Sequence, residues 1–480
     1  MIARRPLSMA LLAALPAVLA VTGRARADEP YAPKEPRLLS ETAEVTSVVD
    51  AFDDDDPFDL HIYAAFEQRW KSAKIRRETS LAQPGLSTGG FVPATENVAS
   101  YSQSLSVVNL GVDVGIFKDF GLVFRAPIIV ADQRSLGDLE GSSKNPQRLM
   151  DPTGDPLFTV PFKSPTRAGI DYLSLGLRAA PLNQQRDPSK PTWMLGLDWR
   201  FAVGSSLHAC DATTGNTPRC PDHANPGANR DPGISRGMWG LEAHTMISRR
   251  FGYVEPYTGL AFLAEFPQER GDFGANSNLR GALLNHPPLV GTLTIGMEVV
   301  PWEHRENYQR LVADFRVQGT YHSEGREYSE LYDALGSTTA RTLSSPNPAT
   351  YTDGPNGSSI ADPSSTRVWF NGITDQKAYG SFRGSAGITW QASEFLKFSG
   401  GLSIDYAQSH AITGSDPCNP NTDKTLGTSG PCRSNPAAGQ SVVTGIPNPN
   451  HRDTIDLPGR RFVVDDALTI GLWVSGTLMF

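Results

Sequence analysis

Residues 467–480 read ALTIGLWVSGTLMF, and apolar side chains alternate with small or polar ones along them. One parity holds Leu468, Ile470, Leu472, Val474, Leu478 and Phe480, and the other holds Thr469, Gly471, Ser475 and Thr477. Successive side chains of a β-strand point to opposite faces, so this alternation predicts a strand with one apolar face. No further sequence follows to cover that face, which predicts that lipid covers it.

This terminal pattern, with Phe480 as its last residue, resembles the closing strand of bacterial outer-membrane β-barrel proteins. The resemblance implies a location in the cell outer membrane, with outer-membrane lipid around the chain. It also implies that the barrel-insertion machinery recognises Phe480 as its signal. We therefore expect an all-β chain that forms a transmembrane antiparallel up-and-down β-barrel, with short periplasmic turns and long extracellular loops.

The beginning of the sequence has the features of a secretory signal peptide. Arg4 and Arg5 precede an apolar stretch at residues 7–21, and Ala25-Arg26-Ala27 forms a small-residue cleavage site before Asp28. A membrane anchor is the alternative, but the apolar stretch is shorter than the ~20 residues that a spanning helix requires. We expect residues 1–27 to be removed.

The composition excludes several other classes of protein. Hydrophobic residues make up 39% of the chain, and charge, Gly or Pro interrupts every apolar run after the leader, which argues against a bundle of transmembrane helices. A barrel remains compatible, because its strands distribute their apolar residues in alternation. The formal net charge of −8 argues against a nucleic-acid partner, which favours a basic surface.

Alternating stretches recur along residues 58–480 and predict about 12 strands. These strands are expected at 58–76, 99–116, 120–134, 166–181, 192–204, 236–249, 252–266, 288–301, 308–323, 377–391, 395–411 and 462–480. Short connections alternate with long ones, at about 77–98, 135–165, 205–235, 267–287, 324–376 and 412–461. Long strands and this rhythm favour the barrel over a soluble β-sandwich or propeller. We expect the strands to extend beyond the membrane on the outer side.

Aromatic residues border the short connections and predict an interfacial girdle at the periplasmic boundary. They are Phe117, Phe120, Trp193, Phe251, Tyr253, Trp302, Tyr308, Trp390 and Phe395.

Residues 28–57 form a polar stretch before the first strand and are predicted to be a periplasmic N-terminal leader. Residues 40–49 have the character of a short helix. The run Asp53-Asp54-Asp55-Asp56 lacks the spaced ligands and the glycine of a calcium loop, so we interpret it as part of a solvated linker.

Four cysteines occur as two close pairs, Cys210 with Cys220 and Cys418 with Cys432. An even number in an exported chain predicts disulfides, and local pairing is favoured because each pair lies within one loop segment. A metal site is the alternative, with His208 and His223 beside the first pair. The spacing differs from that of typical zinc sites.

The parity opposite to the apolar face carries charges of both signs, which we expect to face the lumen because Arg or Lys at mid-bilayer depth costs ~2–4 kcal/mol. The lumen-lining candidates are Asp113, Arg125, Arg178, Asp198, Arg200, Glu242, Arg310, Asp314, Arg316, Arg383 and Asp405. Two arrangements remain open: a water-filled conduit with a transverse field, or a lumen closed by ion pairs. The loops at 324–376 and 412–461 are candidates to fold inward. Residues 330–335 are equally compatible with a short helix and a surface turn.

No sequence signature of an enzyme is present: there is no G-x-S-x-G, H-E-x-x-H, P-loop or G-x-G-x-x-G motif. Asp314 with His322, or Glu242 with His244, are pairs that a barrel-embedded hydrolase would need to bring together in space. We interpret each as ordinary polar lining, and predict no enzymatic activity and no cofactor.

The sequence therefore predicts a porin-like channel for passive passage of small solutes, with selectivity set by lumen charges and outer loops. The segment around residues 171–204 resembles uptake barrels associated with degradation of aromatic compounds, which implies small-molecule passage. The alternatives are a closed barrel whose disulfide-tied loops contact a partner, and a barrel-embedded hydrolase. The sequence fixes neither the solute nor the oligomeric state.

Overall fold

The computed structural model describes residues 42–49, 51, 58–82, 91–140, 146–215, 217–269, 271–274, 284–348, 351–353, 359–361, 367–420 and 445–480. The predicted signal peptide, the acidic run Asp53–Asp56 and Cys432 lie outside these residues, as does most of the predicted leader. Their predictions are therefore not addressed by the structure.

Twelve antiparallel strands form one closed sheet in which each strand pairs with its neighbours in sequence and the first pairs with the last. The strands are β1 Leu60–Ala82, β2 Phe91–Phe117, β3 Phe120–Gly137, β4 Tyr172–Leu182, β5 Thr192–Ala202, β6 Met238–Ser248, β7 Val254–Pro267, β8 Val290–His304, β9 Gln309–His322, β10 Tyr379–Ser393, β11 Leu396–Ala407 and β12 Phe462–Met479. This confirms the predicted up-and-down barrel and its strand number.

The side chains of the apolar parity identified in the sequence face the exterior of the barrel. On β12 the exposed side chains are Leu468, Ile470, Leu472, Val474 and Leu478, followed by Phe480. The same holds elsewhere on the wall, for example at Phe315, Val317, Leu402 and Ile404. Soluble proteins rarely expose so large a contiguous apolar surface. These exposed side chains therefore confirm the outer-membrane location predicted from the closing strand.

Among the described residues, no helix is both long and apolar enough to cross a bilayer.

Short turns join the strands at one end of the barrel, where the predicted aromatic girdle is present. Most of its members are exposed, namely Phe117, Trp193, Phe251, Tyr253, Trp302, Trp390 and Phe395, whereas Phe120 and Tyr308 are half-buried. Asp119 and Tyr308 adopt positive φ angles of 53° and 52° within their turns. The described parts of the long connections lie at the opposite, outer end.

Most strand boundaries differ from the sequence prediction by one to three residues, and the differences are larger or of another kind in three places. The predicted loop 77–98 is largely strand, because β1 and β2 stay paired as far as Ala82 with Phe91. The predicted strand 166–181 is interrupted at Asp171, and the predicted strand 395–411 ends at Ala407 before the short strand His410–Ala411.

The outer loops fold over the barrel and form a compact cap. Its helices are α1 Tyr332–Gly336, α2 Arg341–Ser344 and α3 Asp453–Asp456, and it contains a 3₁₀ turn at Pro146–Leu149. A second 3₁₀ turn, Arg305–Asn307, lies outside the cap, on the periplasmic side. Its short strands are Phe162–Lys163, Arg167–Ile170, Gly325–Glu327, Asn347–Pro348, Tyr351–Asp353, Ser359–Ala361, Arg367–Val368, Thr374–Gln376, His410–Ala411, Cys418–Pro420 and Gly445–Pro447.

A β-bulge lets the last strand serve both the cap and the membrane. Asp466 has a φ of 50°, and the pairing of β1 with β12 shifts there by one residue. One extra residue reverses which parity faces outward. Phe462 and Val464 therefore point into the cap, fully buried, whereas Leu468 and the following even-numbered residues face lipid.

The cap has its own apolar core, in which loop residues pack against the extended ends of β1, β2, β3 and β12. It includes Ile75, Val98, Tyr101, Leu136, Leu157, Phe158, Leu331, Leu335, Leu343, Ile412, Ile455, Phe462 and Val464. Residues 330–335, left open between helix and surface turn, thus contribute to a helix that is buried. The predicted extension of the strands beyond the membrane and the inward folding of both long loops are present in the described residues.

A buried ion pair anchors α1 to the barrel end. Arg167 donates from Nη1 and Nη2 to the two oxygens of Asp333 at 2.9 and 2.6 Å, and both side chains are at most 4% exposed. Asp333 also accepts from the Cys210 amide at 3.0 Å. Cys210 is bonded to Cys220 with an S–S distance of 2.01 Å, which confirms the first predicted disulfide.

We expect Asp333→Asn to lower the free energy of unfolding of the cap by about 3–5 kcal/mol, because Arg167 would remain buried without a compensating charge. Hydrogen exchange of the α1 and Cys210 amides in the detergent-solubilised protein measures this change. Arg341→Gln removes one partner of an exposed pair with Asp155 and should change it by less than ~1 kcal/mol. Equal protection in both variants would contradict the anchoring role of Asp333.

Candidate functional site: the barrel lumen

The interior wall carries ten of the eleven predicted lumen charges as five ion pairs. Arg178 pairs with Asp198 at 2.9 Å, Arg383 with Asp405 at 3.1 Å and Arg316 with Asp314 at 3.2 Å. Arg125 with Asp113, and Arg200 with Glu242, are in direct contact. All lie on the face opposite the exposed apolar side chains, where they are half-buried or buried.

This pairing has a consequence for the field inside the barrel. Each arginine faces a carboxylate on its own or the adjacent strand, so the five pairs together carry no net charge. A transverse field therefore arises only locally, within each pair. The arrangement favours hydrogen bonding to polar solutes over strong discrimination between anions and cations.

Arg310 is the eleventh predicted residue and differs from the others. It is 3% exposed, and its Nε and Nη1 atoms have no hydrogen-bond partner among the described residues. Its neighbour across the strand pair is Gln391, whose Nε2 is also buried without a partner. Both residues lie at the periplasmic end of the lumen.

A segment of the predicted leader lies inside the barrel at the same end. Residues 42–49, hereafter the plug, form a turn rather than the predicted helix, and they contact the barrel interior rather than serving as a solvated linker. The Glu44 amide donates to Glu298 Oε1 on β8 at 3.0 Å, and Lys397 Nζ on β11 donates to Glu44 Oε1 at 2.7 Å.

The other contacts of the plug are with β6 and with β3. Thr46 Oγ1 lies 2.8 Å from Ser248 Oγ on β6, and Ser248 in turn donates to Glu255 at 2.7 Å. A Cβ added to Gly121 on β3 would lie 2.6 Å from the Val49 carbonyl oxygen, so the plug backbone passes where only glycine fits. The plug thus spans the lumen from β8 and β11 to β3.

Two of the cavities that the described residues line lie in the lumen, between plug and cap. One of about 380 Å³ is lined by Glu44 and Val48 of the plug together with paired wall residues, including Arg125, Arg178 and Asp198. The other, of about 310 Å³, lies beneath the cap. Its lining residues are Gln103, Leu105, Ile129, Asp132, Arg134, Arg167, Asp171, Leu207, Ile234, Arg236, Glu327 and Tyr328. In the described residues the plug thus crosses the periplasmic end of the lumen, and the cap lies over its outer end.

Buried carboxylates in the cap have altered acidity. Burial raises the pKa of Asp333, but the adjacent Arg167 outweighs it, so the net pKa lies below its usual range. Burial also raises the pKa of Asp375, and there Arg326, at 3.4 Å, does not compensate. Burial raises the pKa of Asp456 to about 6. These groups lie in the cap and line neither of the two cavities.

The residue pairs considered for hydrolysis do not form catalytic dyads. Asp314 accepts from Tyr257 at 2.5 Å, and His322 instead stacks on Tyr379 with ring centroids 4.4 Å apart. Glu242 contacts Arg200, and His244 Nδ1 lies 3.4 Å from Asp198.

The structure also addresses the metal alternative for the first cysteine pair. Both sulfur atoms are committed to the disulfide, His208 lies 3.1 Å from Asp272, and His223 Nε2 lies 3.0 Å from the Gly336 carbonyl oxygen. Across the described ranges no group of three or more potential ligands is placed to hold a metal. For the second pair, the backbone of Cys418 is described but Cys432 is not.

Comparison with known proteins gives matches of fold only. No family model and no curated protein sequence matches the chain. An outer membrane channel from Pseudomonas putida F1 is 9% identical with a TM-score of 0.33, over 87% of this chain and 95% of that one. A Pseudomonas aeruginosa FadL homologue is 10% identical with a TM-score of 0.31, over 87% and 90%.

A third solved structure carries a functional description. The deltaS2 mutant of the TodX monoaromatic hydrocarbon channel is 10% identical with a TM-score of 0.31, over 92% of this chain and 94% of that one. Similarity at this level carries no information about the solute of this chain.

The position of the plug inside the barrel is what sequence reasoning missed. Its residues were predicted to form a short helix in a polar leader, whereas they form a turn whose contacts are to single polar groups on separate strands. Gly121, placed between Phe120 and Leu122 on an inward-facing position, is the sequence signal that was available. A glycine on a lumen face permits close approach of another backbone.

We expect the unblocked lumen to discriminate weakly between K⁺ and Cl⁻, because its ion pairs cancel. Arg383→Ala should leave Asp405 without its arginine and shift the reversal potential in a KCl gradient toward cation preference. Asp405→Ala is the matched control and should shift the potential in the opposite direction. Shifts of the same sign in both variants would contradict this reading of the pair.

We expect Gly121→Ala to weaken plug docking by about 1–3 kcal/mol, because the new methyl group would meet the Val49 carbonyl oxygen at 2.6 Å. Raised proteolytic cleavage within residues 42–49 measures the displacement. Gly291→Ala is the control, since nothing lies within 4 Å of a Cβ added there. Unchanged cleavage in Gly121→Ala would show that Val49 does not depend on this glycine.

Proposed function

We propose that the protein is an outer-membrane channel for passive passage of small solutes, closed at rest by the plug and the cap. The observation that carries the proposal is the polar interior of a 12-strand barrel that encloses cavities of about 380 and 310 Å³. A barrel stabilised only as a scaffold has no need of charged cavities in its lumen. Solutes in this scheme move down their concentration gradient, without a cofactor.

The contacts that close the periplasmic end support a reversible closure. The plug is attached through single hydrogen bonds, such as those of Glu44 with Glu298 and Lys397, each of which contributes about 0.5–1.5 kcal/mol, or about 1.5–3 kcal/mol where a charge is involved. A segment held by so few contacts can open locally by thermal motion without unfolding of the barrel. Selectivity then depends on cavity size and on the outer loops more than on net lumen charge.

A disulfide across the plug tests this function directly. Thr46→Cys combined with Ser248→Cys places two sulfur atoms where hydroxyl oxygens now lie 2.8 Å apart, a separation compatible with disulfide formation. We expect wild-type protein in planar bilayers to give discrete conductance steps. The oxidised double variant should show none, and a reducing agent should restore them.

The controls separate the plug from the native disulfide. Each single cysteine variant should conduct with and without oxidant, and wild-type protein in reducing agent reports any effect of opening Cys210–Cys220. Silence of wild-type protein at every voltage and salt concentration would refute the channel. Tight binding of an outer partner without conductance would then select the closed binding barrel.

A further inference from the structure

A row of inward-facing nitrogen donors crosses three adjacent strands at the periplasmic end. Arg310 on β9 lies directly opposite Gln391 on β10, and Gln391 lies directly opposite Lys397 on β11. All three are at most 8% exposed. We call Arg310, Gln391 and Lys397 the donor row.

Two members of the donor row, Arg310 and Gln391, have unused hydrogen-bonding capacity among the described residues. Arg310 Nε and Nη1 and Gln391 Nε2 are buried without any partner in the described part of the chain. Buried donors are satisfied in nearly all native structures, so three such atoms on neighbouring residues point to an acceptor that the row is built to receive.

The cations of the donor row face carboxylates. Two cations stand in the row, and both act electrostatically on the carboxylate of Glu44 in the plug. Glu303, on the far side of Arg310, lies 3.4 Å from Arg305 Nε. Glu303 Oε1 is itself buried without a hydrogen-bond partner among the described residues, so the two cations of the row face the carboxylates of Glu44 and Glu303.

Glu44 identifies the chemical class of that acceptor. Its carboxylate takes one bond from Lys397 at 2.7 Å, is 36% exposed, and borders the 380 Å³ cavity. A planar guanidinium presents N–H groups in a fork that can donate to both oxygens of a carboxylate. The resident ligand is thus held from one side and remains open to exchange from the other.

We propose that the donor row is a binding site for small monocarboxylates, and that a bound carboxylate competes with Glu44 for it. Binding then removes the Lys397 contact of the plug and favours its release. The binding site depends only on the donor row and Glu44. The coupling of carboxylate binding to release of the plug rests on the proposed channel function.

Equilibrium binding to the full-length protein in detergent micelles tests the site, with benzoate as the probe and benzamide as its uncharged counterpart. We expect saturable benzoate binding by calorimetry and none for benzamide. Glu44→Gln should tighten benzoate binding about tenfold, because the competing carboxylate is gone. Arg310→Met should weaken it at least tenfold, and Gln391→Met about threefold.

Lys190→Met is the matched control, since it removes an exposed cation from a periplasmic turn outside the donor row and should leave affinity unchanged. Equal binding of benzamide would overturn the carboxylate class. An unchanged affinity in Glu44→Gln would overturn competition with the plug, and an unchanged affinity in Arg310→Met would overturn the location. If Arg310→Met does not fold, Gln391→Met decides the location.

Conductance distinguishes this inference from the proposed function. Benzoate binding by a protein that never conducts would leave the site standing and refute the channel. Discrete conductance in a protein that binds no benzoate, either as wild type or as Glu44→Gln, would support the channel and refute the binding site. With both present, benzoate should raise the open fraction of wild-type protein and leave that of Glu44→Gln unchanged.

Discussion

The hydrogen-bonded pairing of β1 with β12 is the constraint on which the rest of the molecule depends. In a bilayer no water is available to satisfy backbone N–H and C=O groups, so a transmembrane sheet must close on itself. Leu60 and Phe480 exchange two backbone hydrogen bonds of 2.8 and 2.9 Å at the start of this pairing. Closure assigns one parity of every strand to lipid and the other to the lumen, and thereby determines where each charge can lie.

The cap shows how the same strands act outside the membrane. Once β1 leaves the lipid, its inward positions no longer need to line a lumen, and Arg77 there donates to the carbonyl oxygens of Arg148, Thr454 and Arg460. One arginine thus satisfies three loop segments that have little regular structure of their own. The bulge at Asp466 supplies the matching apolar surface by turning Phe462 and Val464 inward.

Sequence periodicity predicted the features that lipid imposes and failed where single contacts decide. Strand number, the lipid-facing residues and the girdle follow from a period of two that the bilayer enforces on every strand. The paired state of Arg178 with Asp198 was not predictable, because partners on adjacent strands depend on register. The plug and the continuation of β1 past Arg76 were missed because neither meets lipid, so neither carries alternation.

The two closures of the lumen differ in strength. The cap is held by an apolar core that includes Ile75, Leu331 and Phe462, and by the buried pair of Arg167 with Asp333. Separating it would expose that core to water at ~25 cal/mol per Å² of apolar surface. The plug has no comparable core and depends on a few polar contacts of about 1 kcal/mol each. The periplasmic end therefore opens at lower cost, and exchange between the lumen and the periplasm precedes exchange with the exterior.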